Sequence, residues 1–166
     1  MDILAKTALA DGTYVAYTDG SCKPNPGPGG CAFRLYAPDG SMIENDLHFL
    51  ETNNNVAEMW AVIDALTATP DGASVLLFLD SGYIKDGLEK YLTGWLTRNW
   101  RKSDGKEVAN RELWETIIAL TETRKATFLK IKARSSDVDK KRVDVLAKEA
   151  ADRAVQRILS AKWDAA

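Results

Sequence analysis

One histidine and two cysteines in a chain of 166 residues are too few for several kinds of chemistry. His48 alone cannot supply a histidine pair for proton relay or a multi-histidine zinc site. Cys22 and Cys31 are too few for a disulfide framework, and their spacing fits no metal-binding pair, so free thiols in a reducing cytoplasm are expected. There is no run of about 18 apolar residues, and the opening MDILAKTALADG lacks the cationic and then apolar pattern of an export signal. A soluble cytoplasmic protein is expected. An excess of one charge is missing too: 22 Lys and Arg against 24 Asp and Glu leave −2, which argues against a uniformly basic nucleic-acid coat but not against a local basic patch.

What is present is an ordinary globular composition, 45% hydrophobic and 28% charged, at a length suited to one domain. We expect an extension over 1–12, a single domain over 13–160 and a tail over 161–166, with a monomer as the default. The β-branched and aromatic run TYVAYT over 13–18 reads as a strand ending at Asp19-Gly20. The glycine- and proline-dense stretch 20–30 lies between strand-like runs and reads as a structured loop. Strands over 31–37 and 42–50, joined by the turn Pro38-Asp39-Gly40-Ser41, complete an antiparallel meander. His48 falls in the last of these and is expected to be partly buried.

Asn53-Asn54-Asn55 caps a helix over 56–68 that is apolar almost all round, and VLLFL over 75–79 reads as a strand buried on both faces. Helices over 81–92 and 111–123 follow, the second expected to be capped by Asn110. A fifth strand over 126–133, a polar loop over 134–139 and a long helix over 140–162 complete the order βββαβααβα. That order implies an α/β fold with a five-stranded mixed sheet, its first three strands antiparallel, flanked by helices.

Four acids resist the bland explanation of solvated surface charge. Asp19 ends the first strand, and Asp80 ends the most apolar one, where an unpaired charge is costly. Glu58 shares its apolar helix only with Asp64, about 120° away around the axis; a role at the helix dipole is its ordinary alternative. Asp144 lies among Lys140, Lys141, Arg142 and Lys148, and surface i,i+4 pairing would account for it alone. Gathered together, four carboxylates would repel one another unless hard cations neutralised them, and Mg²⁺, with Mn²⁺ as a substitute, suits oxygen ligands. Two such ions about 4 Å apart can support phosphodiester hydrolysis without histidine or cysteine.

The blocks around these acids resemble the type 1 branch of the ribonuclease H family. The resemblance rests on Tyr17-Thr18-Asp19-Gly20-Ser21-Cys22 with Asn25-Pro26-Gly27-Pro28-Gly29-Gly30, on Asn54-Asn55-x-x-Glu58, on Asp80-Ser81-x-Tyr83, on Asn110-x-x-Leu113-Trp114 and on Arg142-Val143-Asp144-x-Leu146-Ala147. It implies the ribonuclease H-like fold and an endonuclease that hydrolyses the RNA strand of an RNA/DNA hybrid with two divalent ions, leaving 3′-hydroxyl and 5′-phosphate ends. It implies catalytic and metal-binding roles for Asp19, Glu58, Asp80 and Asp144, and contacts to the hybrid from Cys22, Asn25, Asn54 and Asn55.

The segment over 94–111 is similar to the family's basic protrusion, with five cationic residues against two acidic ones and two interleaved tryptophans. Trp100, Arg101 and Lys102 are its expected substrate contacts, while Trp95 and Trp114 are expected to be core anchors. Two positions depart from the family pattern. Arg134 stands where a loop histidine is usual and, as an arginine, can bind a phosphate but not act as a base. Gly82 stands where a substrate-touching glutamine is common. These departures motivate an alternative reading, a catalytically weak nucleic-acid-binding protein of the same fold.

Overall fold

The computed structural model describes residues 1–166. A short helix, α1 (Ile3–Ala10), precedes the meander β1 (Tyr14–Cys22), β2 (Gly27–Tyr36) and β3 (Met42–Thr52). There follow α2 (Asn54–Ala68), β4 (Ser74–Leu79), α3 (Gly82–Asp86), a π-helical turn (Gly87–Tyr91), α4 (Leu92–Thr97), α5 (Arg111–Thr123), β5 (Lys125–Lys130) and α6 (Val138–Asp164). The five strands form one sheet in the order β3-β2-β1-β4-β5. β1 pairs antiparallel with β2 and β2 with β3, whereas β4 runs parallel to both β1 and β5.

Alternation along the inner strands divides the interior into two layers. On one face Ala16 and Leu77 meet Met59, Val62 and Leu66 of α2 and Trp114 and Ile117 of α5. On the other, Val15, Tyr17, Leu76 and Phe78 meet Val143, Leu146 and Ala147 of α6, with Ala5 of α1 joining them. Both faces are covered, which explains the unbroken apolar runs of β1 and β4. Close approach of α6 to the sheet depends on Gly30, where a Cβ would lie 2.5 Å from the Ala147 carbonyl oxygen and 2.6 Å from the Ala150 Cβ.

Several boundaries differ from those expected. β1 continues through Asp19 to Cys22 and β2 begins at Gly27, because antiparallel pairing of Gly20 with Cys31 and Ser21 with Gly30 extends the ladder into the glycine-rich stretch. The structured loop is therefore only 23–26. Asn110 adopts a left-handed conformation (φ 60°) and makes no side-chain cap; its amide donates instead to the Tyr83 hydroxyl at 3.1 Å. His48 lies on β3 as expected, but β3 is an edge strand and the residue is exposed, not partly buried. The helix expected over 81–92 runs on as a continuous helical segment to Thr97, with the π-helical turn inside it. No helix is long and apolar enough to cross a membrane.

Candidate active site

Two strands bring two carboxylates to one place. In β1, Val15 and Tyr17 face α6, and Asp19 continues their period of two. In β4, Leu76 and Phe78 face the same way, and Asp80 follows immediately after the strand. Parallel register sets Val15 opposite Leu76 and Tyr17 opposite Phe78, so the next step of two sets Asp19 beside Asp80. The Tyr17 and Phe78 rings stack below, with centroids 4.9 Å apart.

The third carboxylate comes from the start of α2. The Asn53 side chain caps this helix by accepting the Val56 N–H at 3.0 Å. Gly20 allows the helix to rest on β1: a Cβ there would lie 2.6 Å from the Glu58 nitrogen and 2.8 Å from the Ala57 carbonyl carbon. As a result, carboxylate oxygens of Asp19, Glu58 and Asp80 all lie within 4.8 Å of one another. Gly20 and Gly30 of the glycine-rich stretch thus admit the protein's own helices.

Asp144 lies in the second turn of α6, outside this triad, and its half-exposed carboxylate pairs with Lys148 at 2.6 Å. Its charge is still near enough to add to the upward shift at Asp19. A lysine that stands beside Lys141 and Arg142 in the sequence enters the site instead. Lys140 is 1% exposed, and its Nζ lies 2.9 Å from Asp19 Oδ2 and 3.0 Å from Asp80 Oδ2. The pattern of α6 carried a signal for this, since Lys140 precedes Val143 and Ala147 on the inward face at offsets of three and seven.

Burial pushes the Glu58 carboxyl well above its ordinary range, and the charges of Asp19 and Asp80 push it further; Lys140 and the Gly20 N–H oppose them. Asp19 is raised for the same leading reason, against the pull of Lys140. Lys140 itself loses hydration by burial, but the two aspartates outweigh that loss and hold its ammonium above the ordinary value. One site oxygen remains uncompensated: Glu58 Oε2 is buried and has no hydrogen-bond partner. An all-oxygen donor set with an unpartnered carboxylate oxygen fits a hard divalent cation.

The expected substrate contacts are placed unevenly. Asn54 and Asn55 are exposed at the start of α2, and Asn25 Oδ1 accepts the Asn54 N–H at 3.0 Å, fastening the 23–26 loop to the helix. Cys22 does not offer its thiol to a ligand: it is buried, with Sγ near the carbonyl oxygens of Pro24, Gly27 and Thr52. Trp100 is 7% exposed and packs against Trp95, so its indole belongs with the core anchors Trp95 and Trp114, while the Arg111 guanidinium lies 5.4 Å from its ring centre. Arg101 and Lys102 are exposed beside it, and Arg134 is exposed in the loop before α6. Gly82 begins α3, with the Lys130 ammonium 3.2 Å from where its Cβ would be.

The ribonuclease H family model matches residues 11–152, which span every element from β1 to β5 and most of α6. A ribonuclease HI of Xylella fastidiosa is 38% identical over 135 residues, 80% of this chain and 88% of its own length. A ribonuclease H of Nitratidesulfovibrio vulgaris is 40% identical over 138 residues, 82% of this chain and 88% of its own. Among solved structures, LC11-RNase H1 in complex with RNA/DNA hybrid superposes with a TM-score of 0.61 at 27% identity, over 86% of this chain and 99% of its own. With matches of this extent, the chain belongs to the ribonuclease H family, whose members are metal-dependent endoribonucleases.

Proposed function

We propose that this protein hydrolyses the RNA strand of RNA/DNA hybrids, using Asp19, Glu58, Asp80 and Asp144 to hold two divalent ions, Mg²⁺ or Mn²⁺. The observation that carries this reading is the close triad, two of its acids buried and the third partly so, with its unpartnered Glu58 oxygen, a demand for positive charge that the protein meets only in part. The hybrid bound by LC11-RNase H1 supports the choice of substrate.

Bound divalent ions would supply an acidified water and charge neutralisation at the leaving oxygen. The chain's own residues set the geometry. Asp19, inside β1, and Asp80, just past the end of β4, sit side by side, and Glu58 is fixed by the packing of α2 on Gly20. Asp144, at the rim, completes the set by turning from Lys148 toward the site. A water oxygen bonds to phosphorus and gives up a proton to solvent, the P–O3′ bond breaks, and the 3′-oxygen takes up a proton from solvent, giving 3′-hydroxyl and 5′-phosphate ends.

Exposed Asn54 and Asn55, positioned with Asn25, meet the hybrid near the cleaved strand, where RNA is distinguished by its 2′-hydroxyls. Arg101 and Lys102 contact phosphates of the paired DNA strand, and Arg134 contributes a phosphate contact where the family's histidine is usual. The test is cleavage of sequence-matched RNA/DNA, RNA/RNA and DNA/DNA duplexes with Mg²⁺ or Mn²⁺, followed by end-group analysis. Cleavage confined to the RNA of the hybrid, with 5′-phosphate products, is expected; cleavage of DNA/DNA contradicts the substrate assignment.

One observation favours the second reading, a catalytically weak hybrid-binding protein: the Lys140 ammonium already bridges two of the acids. The same assay separates the readings, since that protein would bind the hybrid and leave it whole.

A further inference from the structure

The proposed metal site contains a cation of its own. Lys140 Nζ is within hydrogen-bond distance of one oxygen of Asp19 and one of Asp80, and the residue is 1% exposed. Its stem descends from the first turn of α6, beside Asp139 and above Val143, so the ammonium is aimed into the site by the helix. A divalent ion bridging Asp19 and Asp80 would sit about 2.1 Å from each ligand oxygen. An ammonium about 3 Å from the same two oxygens competes for them, because two cations this close repel each other strongly.

Resting on the reading of this site as a metal centre, we infer that Lys140 is a displaceable internal counter-ion, which neutralises Asp19 and Asp80 and must withdraw before a divalent ion can bridge them. Lysine suits such a role, being a compact charge on a flexible four-carbon stem. The ammonium leaves Glu58 Oε2 without a partner, so the lysine satisfies two of the three acids and the demand for a metal persists. Lys140 is thus a positioning residue: it holds the acids together and sets the affinity for metal without itself acting on substrate.

Two measurements test this. Mn²⁺ binding is followed by paramagnetic resonance of the free ion for the wild type and for Lys140→Met, which keeps an apolar side chain of similar length and removes the charge. Binding at least about tenfold tighter in the variant is expected, a factor equivalent to about 1.4 kcal/mol. Because the variant leaves Asp19 and Asp80 without their counter-ion, its folding is checked by circular dichroism, and a second measurement uses the wild type alone. Lys140 should resist amine acylation in EDTA, read by peptide mass spectrometry, and become labelled about tenfold faster in saturating Mg²⁺. Equal or weaker Mn²⁺ affinity in a folded variant, or continued protection of Lys140 with metal bound, overturns the inference while hybrid cleavage by the wild type stands. Absence of Mn²⁺ binding in both proteins overturns the metal reading together with it.

Discussion

Asp19 and Lys140 form the ion pair on which the site is built: 2.9 Å separates Oδ2 from Nζ, and the residues are 4% and 1% exposed. The pair joins the central strand β1 to the first turn of α6. With Asp80 as the second acceptor, it ties together three elements that are distant in sequence. A buried ion pair of this kind adds little net stability when intact, but breaking it from one side is costly.

The packing of α2 on β1 predicts the effect of Gly20→Ala. The new methyl would overlap the backbone of Ala57 and Glu58, not a movable side chain. Loss of about 1–3 kcal/mol in urea unfolding is expected, with a parallel weakening of Mn²⁺ binding as Glu58 moves away from Asp19. Gly40→Ala serves as a control for glycine substitution alone, since it has open space but a positive φ; it should lower stability without affecting the metal.

Glu58→Gln should separate stability from activity. Three crowded carboxylates repel one another, and the Glu58 carboxyl is raised by burial and by both neighbours. Removing its charge is expected to leave unfolding stability in EDTA equal to or above that of the wild type, while hybrid cleavage falls by on the order of 10²-fold or more. Added Mg²⁺ should raise the melting temperature of the wild type more than that of the variant.

A second buried network predicts the acid limb of stability. Asp139 accepts from Tyr36 Oη at 2.5 Å and Arg34 Nη1 at 2.9 Å, and the N-terminal ammonium lies 3.4 Å from its other oxygen. Burial alone would raise this carboxyl, but these partners outweigh it and hold it below the ordinary carboxylate range. A depressed folded-state value means that the contribution is fully present above about pH 4, the unfolded value, and is lost as pH falls through the folded one. Asp139→Asn should cost about 3 kcal/mol at pH 7, and the difference from wild type should shrink as the pH falls below about 4, as followed by urea unfolding.

The basic segment predicts salt-dependent binding. Arg101→Ala and Lys102→Ala should weaken hybrid binding irrespective of sequence, each reducing the slope of log K against log salt by about 1. Arg134→Ala should leave stability unchanged, because the side chain is exposed, and should lower kcat or slow product release by about 3–10-fold if it contacts a phosphate. Unchanged kcat and product release would assign Arg134 no part in turnover.

Much of this was legible in the sequence because local pattern and tertiary setting agree. The five strands, the all-round apolar α2 and the helix from Arg111 to Thr123 follow from periodicity and turn residues. Asp19 and Asp80 stood out because each adjoins strand residues too apolar to tolerate a free charge. The extra length of β1 was hidden by Gly20 and Ser21, which read as a turn but are held by pairing with β2. Asn110 looked like a cap because the Tyr83 hydroxyl that claims its amide is 27 residues away. Lys140 was obscured by its neighbours: with Lys141 and Arg142 beside it, a cation on the inner face of α6 looked like one more surface charge. The burial of Cys22 and Trp100 likewise depends on partners that local sequence does not identify.

The central claim is that the clustered acids perform hydrolysis of the hybrid's RNA strand. The most direct test is cleavage of an end-labelled RNA/DNA duplex in Mg²⁺ by the wild type, Asp19→Asn and Asp80→Asn at equal concentration, with folding of each verified by circular dichroism. The account predicts endonucleolytic cleavage by the wild type and a loss on the order of 10²-fold or more in either variant. Cleavage that persists in both folded variants at the wild-type rate would contradict it.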